Sequence, residues 1–139
     1  MYIPNKTARY GIKIAMMCDV GTNYMVNAIP YLGLNTQTKG VHLLSYFVKE
    51  LTKNIQGTNQ NIIMDNWFTS IPLADKLLKI PINFTVVGTI WKNKGEIPPE
   101  LLELRSQRVG TSMYCFDQAK TLIVQNKTNV LFYLHSMKN

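Results

Sequence analysis

One stretch constrains the fold more than any other. A short apolar run, Asn61-Ile62-Ile63-Met64, passes directly into Asp65-Asn66-Trp67-Phe68, and a helix start follows at once. Ser70 with Pro72 close behind is helix-start chemistry: a serine oxygen accepts an otherwise orphaned amide, and proline is tolerated in the first turn. The helix is expected over Ile71–Lys79, stopped by Pro81, and Phe84–Trp91 reads as the next strand, with Val86 and Val87 at its centre. Strand, helix and strand within roughly 30 residues make a βαβ unit whose two strands are parallel and whose crossover is right-handed. The fold class is therefore α/β, with a mixed sheet and helices.

The flanking segments add antiparallel structure. Tyr2–Pro4 is extended. Tyr10, Ile12, Ile14, Met16 and Cys18 alternate with Gly11, Lys13, Ala15 and Met17, which is the period of a strand with one apolar face. Asp19-Val20-Gly21-Thr22-Asn23 supplies turn residues and Tyr24–Tyr31 reads as a second strand, so the two form a hairpin. Leu43, Leu44, Phe47, Val48 and Leu51 recur at helical spacing, with Lys49, Glu50 and Lys53 on the other side. Beyond Trp91 the character changes. Pro98-Pro99-Glu100 opens a short helix to about Leu104, Thr111–Phe116 and Thr121–Gln125 form a hairpin around 117–120, and Val130–His135 is a last strand.

Composition narrows the class further. The chain has 139 residues, 46% of them hydrophobic, enough for one domain with a core. No stretch approaches the roughly 20 apolar residues that span a bilayer, so no membrane partner is expected, and the N-terminus shows no apolar signal region. Cys18 and Cys115 lie far apart without metal or disulfide spacing and read as buried thiols inside strands. His42 and His135 show no ligand spacing, and the methionines are read mainly as strand core. The net charge is +7 with lysines and arginines spread along the chain, a field that favours polyanions, nucleic acid above all. Lys13, on the strand face opposite the apolar one, and Lys92 and Lys94 are the candidates for phosphate contact.

Of eight acidic residues, Asp19 and Asp65 share a placement the others lack: each stands at the C-terminal end of an apolar strand. If those strands are neighbours, both carboxylates project from one sheet edge within reach of one cation. Mg²⁺ takes oxygen ligands and keeps several waters, so a carboxylate pair with substrate phosphate is a reasonable site. Two such ions can activate an attacking oxygen and stabilise a leaving one in phosphodiester chemistry. Local turn chemistry explains the same residues without a metal, since Asp before Gly-Thr and Asp-Asn before a helix both cap nearby amides. Asn66 either orients Asp65 or shapes the turn. Trp67 and Phe68 are expected to pack the following helix on the sheet.

Several blocks resemble the catalytic domain of piggyBac-type DNA transposases. These are Tyr2-Ile3-Pro4-Asn5-Lys6 with Tyr10–Ile14, and Met16-Met17-Cys18-Asp19 with Gly21-Thr22 and Tyr24. Most specific is Met64-Asp65-Asn66-Trp67-Phe68-Thr69-Ser70-Ile71-Pro72-Leu73. Val87-Gly88-Thr89, Ile97-Pro98, Val109–Ser112 and Cys115-Phe116-Asp117 continue it in order. The resemblance implies a ribonuclease H-like fold, with residues 1–91 the N-terminal part of the core and 92–139 part of a β-rich insertion domain. It makes Asp19 and Asp65 the first and second catalytic aspartates, binding two Mg²⁺ ions for DNA nicking at transposon ends and transfer into TTAA targets. It also implies a nuclear location.

The family's third aspartate, in a Gly-Gly-Val-Asp-type motif, falls beyond His135–Asn139, and Asp117 belongs to a hairpin turn of the insertion. The expectation is a fragment of a catalytic domain, inactive alone and prone to self-association through uncovered sheet surface. The alternative is a domesticated module that binds DNA or protein without catalysis.

Overall fold

The structure, a computed structural model, describes residues 10–33, 36, 38, 40–103, 108–126 and 130–137. The segment at 2–4 expected to be extended lies outside the described residues. The chain forms two compact units, Met1–Asn54 and Ile55–Asn139.

In the first unit β1 (Lys13–Cys18) and β2 (Met25–Tyr31) pair antiparallel, from Lys13 opposite Tyr31 to Cys18 opposite Met25, with a register shift between Met17 and Cys18. The connecting turn is closed by the Asp19 amide donating to the Tyr24 carbonyl at 2.8 Å and the Asn23 amide donating to the Asp19 carbonyl at 2.9 Å. Asn23 takes φ 57°, a left-handed conformation that asparagine tolerates better than most side chains. Helix α1 (Leu43–Leu51) buries Phe47, Val48 and Leu51, as its spacing predicts. The Phe47 ring meets Tyr31 edge-on at 6.1 Å, and Asn27 Nδ2 donates to the Leu51 carbonyl at 3.3 Å, satisfying an acceptor that the helix end leaves unpaired.

Those contacts decide which face of the hairpin is inside, and it is not the apolar stripe. Tyr31 and Asn27 share a face with Lys13, Ala15 and Met17 through the ladder register. Ala15 is buried and Lys13 and Met17 are half-buried, whereas Ile12 is 84%, Ile14 50% and Met16 57% exposed. Alternation in β1 identifies a strand, but the helix is tied to the other face. Two expectations change with it. Cys18 is exposed and Cys115 half-buried, so neither thiol is a core residue, although both are free. The methionines are divided too: Met64 is buried, while Met16, Met25 and Met137 are exposed.

The second unit is a five-stranded sheet in the order β3 (Asn61–Met64), β4 (Thr85–Thr89), β7 (Val130–Ser136), β6 (Lys120–Asn126), β5 (Ser112–Phe116). β3 and β4 run parallel, joined through α2 (Ile71–Leu78), as the βαβ pattern predicts, and the other pairs are antiparallel. The Ser70 hydroxyl accepts from the Leu73 amide at 3.3 Å and starts α2 with Pro72 in its first turn. Leu73, Ala74 and Leu77 of α2, with Phe84, Val86, Leu122, Val124 and Leu134, are buried. Fully burying a leucine, valine or phenylalanine side chain contributes roughly 1.5–3 kcal/mol. A short helix α3 (Pro99–Leu102) adds Leu101 to a cluster with Ile90, Ile97, Leu122 and Val124. Lys120 ties the β5–β6 hairpin to α2 through Asp75 and to its own turn through Asp117 at 3.0 Å. The sheet takes strands from both sides of Trp91, since Val87 of β4 lies opposite His135 of β7. Among the described residues no helix is long and apolar enough to cross a membrane.

Candidate functional site

Each of the two aspartates sits where a strand stops and a tight turn begins. β1 ends at Cys18, and Asp19 is exposed at the head of the hairpin turn. Its Oδ2 accepts from the Thr22 amide at 2.8 Å and from the Thr22 hydroxyl at 2.6 Å. These bonds stabilise the ionised form, and the Thr22 hydroxyl, followed by the Thr22 amide, holds the Asp19 carboxyl below its ordinary value of 3.8. Thr22 is a residue that the Asp-x-x-Thr spacing signals as a turn partner, and a search confined to acidic residues passes over it.

β3 ends at Met64, and Asp65 is exposed at the start of the turn leading to α2. Its Oδ1 accepts from the Trp67 amide at 3.0 Å and the Phe68 amide at 3.4 Å, and its carbonyl accepts from the Phe68 and Thr69 amides. Trp67 and Phe68 are half-buried and meet edge-on at 4.7 Å. Asn66 is exposed beside Asp65.

The turn reading and the ligand reading therefore describe the same atoms. In each aspartate the side-chain bonds fall on a single oxygen, Oδ2 of Asp19 and Oδ1 of Asp65, and both residues are exposed. A hard cation that keeps part of its water shell suits such donors. Asp19 belongs to the first unit and Asp65 to the second. No group of three or more His, Cys, Asp or Glu side chains that could hold a metal ion occurs among the described residues. Asp117 stays in its hairpin turn, where the hydrogen bond from Lys120 lowers its pKa.

Of the basic candidates, Lys13 is half-buried with Nζ 5.9 Å from the centre of the Tyr31 ring. Its charge therefore lies against an aromatic face on the inner side of the hairpin. Lys92 is exposed and Lys94 half-buried in the segment after β4.

β1 pairs with β2 and β3 with β4 in separate sheets, so among the described residues the strands that end at the two aspartates are not the ladder neighbours considered from the sequence. The family model described as Transposase IS4 matches residues 1–138, and the chain belongs to that transposase family. Its particular likeness is to a piggyBac transposase. The cryo-EM structure of a piggyBac transposase synaptic complex with hairpin DNA shares 54% sequence identity with it, at a TM-score of 0.91. The match covers 100% of this chain and 30% of that one, so the chain spans less than a third of the transposase's length. The mixed α/β fold expected from the sequence is the fold found.

Proposed function

We propose that these residues are the opening part of the catalytic core of a cut-and-paste DNA transposase, with Asp19 and Asp65 as two of its metal-binding carboxylates. The observation that carries this reading is placement: each aspartate is exposed at the C-terminal end of a core strand, with a carboxylate oxygen outside the local turn bonds. The likeness to a transposase solved with hairpin DNA supports DNA as the partner, and the net charge of +7 agrees with it. On this reading Asp19 and Asp65 would each supply oxygen ligands to Mg²⁺, which would polarise phosphate oxygens during cleavage and strand transfer. Asp19 and Asp65 supply negative charge and oxygen donors; the Thr22 bonds keep Asp19 ionised, and Asn66 borders the second carboxylate.

The finer features belong to the same proposal: a ribonuclease H-like core over 1–91, part of an insertion domain over 92–139, transposon ends and TTAA targets as substrates, and work in the nucleus. The boundary at 91 is one of descent, while the two compact units reflect packing. Lys92 and Lys94 would meet phosphate, and the exposed Ile12, Ile14 and Met16 support self-association.

The test is direct. The 139-residue chain is incubated with Mg²⁺ and a labelled transposon-end duplex, and both binding and nicking are measured. The expected result is binding that weakens steeply as salt rises, because phosphate contacts release counterions, with no nicking. Metal-dependent nicking that is lost in Asp65→Ala would show that two carboxylates suffice and contradict inactivity of these residues alone. No binding even at low salt would contradict the DNA reading.

A further inference from the structure

The turn that presents Asp65 is held from beneath by two buried residues, Thr69 and Gly88. Thr69 is 0% exposed. Its Oγ1 donates to the Asp65 carbonyl at 2.7 Å and lies 3.4 Å from the Met64 carbonyl, and its amide donates to the Asp65 carbonyl at 3.1 Å. Both polar hydrogens of Thr69 therefore go to the residue that bears the carboxylate. Room for the hydroxyl comes from β4. Gly88 lies opposite Met64 in the parallel register, and a Cβ there would stand 2.6 Å from the Met64 carbonyl oxygen and closer still to Thr69 Oγ1. Glycine inside a strand commonly marks such a close approach of another backbone.

We propose that Thr69 and Gly88 are positioning residues for Asp65: the threonine hydroxyl, seated in the space the glycine leaves, clips the end of β3 to the turn and fixes the carboxylate's direction. The inference rests on the reading of Asp65 as a metal-binding carboxylate. The chain of contacts is short. With its carbonyl clipped, Asp65 directs Oδ1 onto the Trp67 and Phe68 amides at 3.0 and 3.4 Å, and the orientation of the carboxylate follows. Without the clip, those two hydrogen bonds lie on an exposed turn and open readily. Changing a group that orients a metal's ligand typically costs about 10- to 100-fold in metal affinity.

The experiment compares the 139-residue chain with Thr69→Val, Thr69→Ser and Gly88→Ala by nuclear magnetic resonance. One arm reads hydrogen exchange of the Trp67 and Phe68 amides. Valine keeps the shape and removes the hydroxyl, and alanine at 88 displaces it. In both variants exchange at those two amides is expected to quicken about tenfold, the scale of one lost hydrogen bond, while protection elsewhere in the sheet is retained. Serine retains the hydroxyl and is expected to behave as wild type. Unchanged exchange in Thr69→Val, or serine exchanging as fast as valine, overturns the proposal. If valine unfolds the unit, serine decides alone: wild-type exchange supports the hydroxyl's role, and valine-like unfolding overturns it.

The second arm adds Mn²⁺ and reads paramagnetic broadening at Asp65 and Asn66. A wild-type response whose affinity falls roughly tenfold or more in Thr69→Val, with recovery in Thr69→Ser, supports the proposal. Equal affinity in wild type and valine overturns the metal-positioning role. Absence of broadening in the wild type counts against the metal reading itself, and hydrogen exchange alone then decides whether the clip exists.

Discussion

At Asp19 the carboxylate engages Oδ2 with the amide and hydroxyl of Thr22, at 2.8 and 2.6 Å. These bonds shape the hairpin turn and also keep the group ionised, which a cation requires of its ligand. Because the folded-state pKa lies below the ordinary value of 3.8, the group's contribution to stability is fully present above that value. It is lost as pH falls through the lower, folded-state pKa. Thr22→Val removes the hydroxyl, so the Asp19 titration followed by carboxyl ¹³C shifts is expected to move up towards 3.8. An unchanged titration would show that the backbone amide alone sets it. The strand-end placement of both aspartates was legible in the sequence, since an acidic residue closing an apolar strand is a conspicuous pattern, but that placement alone left turn chemistry and metal ligation equally open. Thr22 and Thr69 were less legible: the Asp-x-x-Thr spacing marks Thr22 as a turn partner of Asp19, whereas only geometry shows that the Thr69 hydroxyl bonds the Asp65 carbonyl.

At the scale of elements, the parts with local signals appeared where the sequence placed them. Ser70 and Pro72 mark the start of α2, and its bounds, Ile71–Leu78, fall one residue short of the expected Lys79. The Ser70 bond to the Leu73 amide predicts that Ser70→Ala destabilises the second unit by about 1 kcal/mol, the usual cost of losing a cap. Urea denaturation would show a lowered midpoint at constant slope; an unchanged midpoint would mean that Pro72 and packing alone hold the helix start. The hairpin of β5 and β6 was similarly legible, because the turn at 117–120 fixes the register from Phe116 opposite Thr121 onward. What alternation in β1 did not reveal was which face is covered. That choice depends on α1, whose Phe47 meets Tyr31 and whose Leu51 carbonyl accepts from Asn27, and no pattern within a single strand encodes it.

At the scale of the whole molecule, the least legible feature is the place of β7, between β4 and β6. Its pairing with β6 follows from a short connection, but pairing Val87 with His135 joins residues far apart in sequence. Such contacts are decided by which apolar faces fit together after local elements have formed, and turn residues carry no signal for them. Ser136 illustrates the point: it is 0% exposed, and its hydroxyl accepts from the Val86 amide at 2.6 Å beyond the end of the ladder. The family resemblance did not supply this pairing either, since it assigned the last strand to a part of the chain beyond residue 91; what the match over residues 1–138 and the 54% identity to a piggyBac transposase bear out is the family itself.

The proposed function stands or falls on whether Asp19 and Asp65 are catalytic carboxylates. The most direct measurement replaces the matching segment of that piggyBac transposase with residues 1–139 and assays Mg²⁺-dependent nicking of transposon-end DNA. If they are, the chimera nicks and Asp19→Asn or Asp65→Asn each lowers the rate by at least about a thousandfold, as losing several kcal/mol of metal-centred stabilisation requires. A chimera that nicks equally well with either substitution would contradict it.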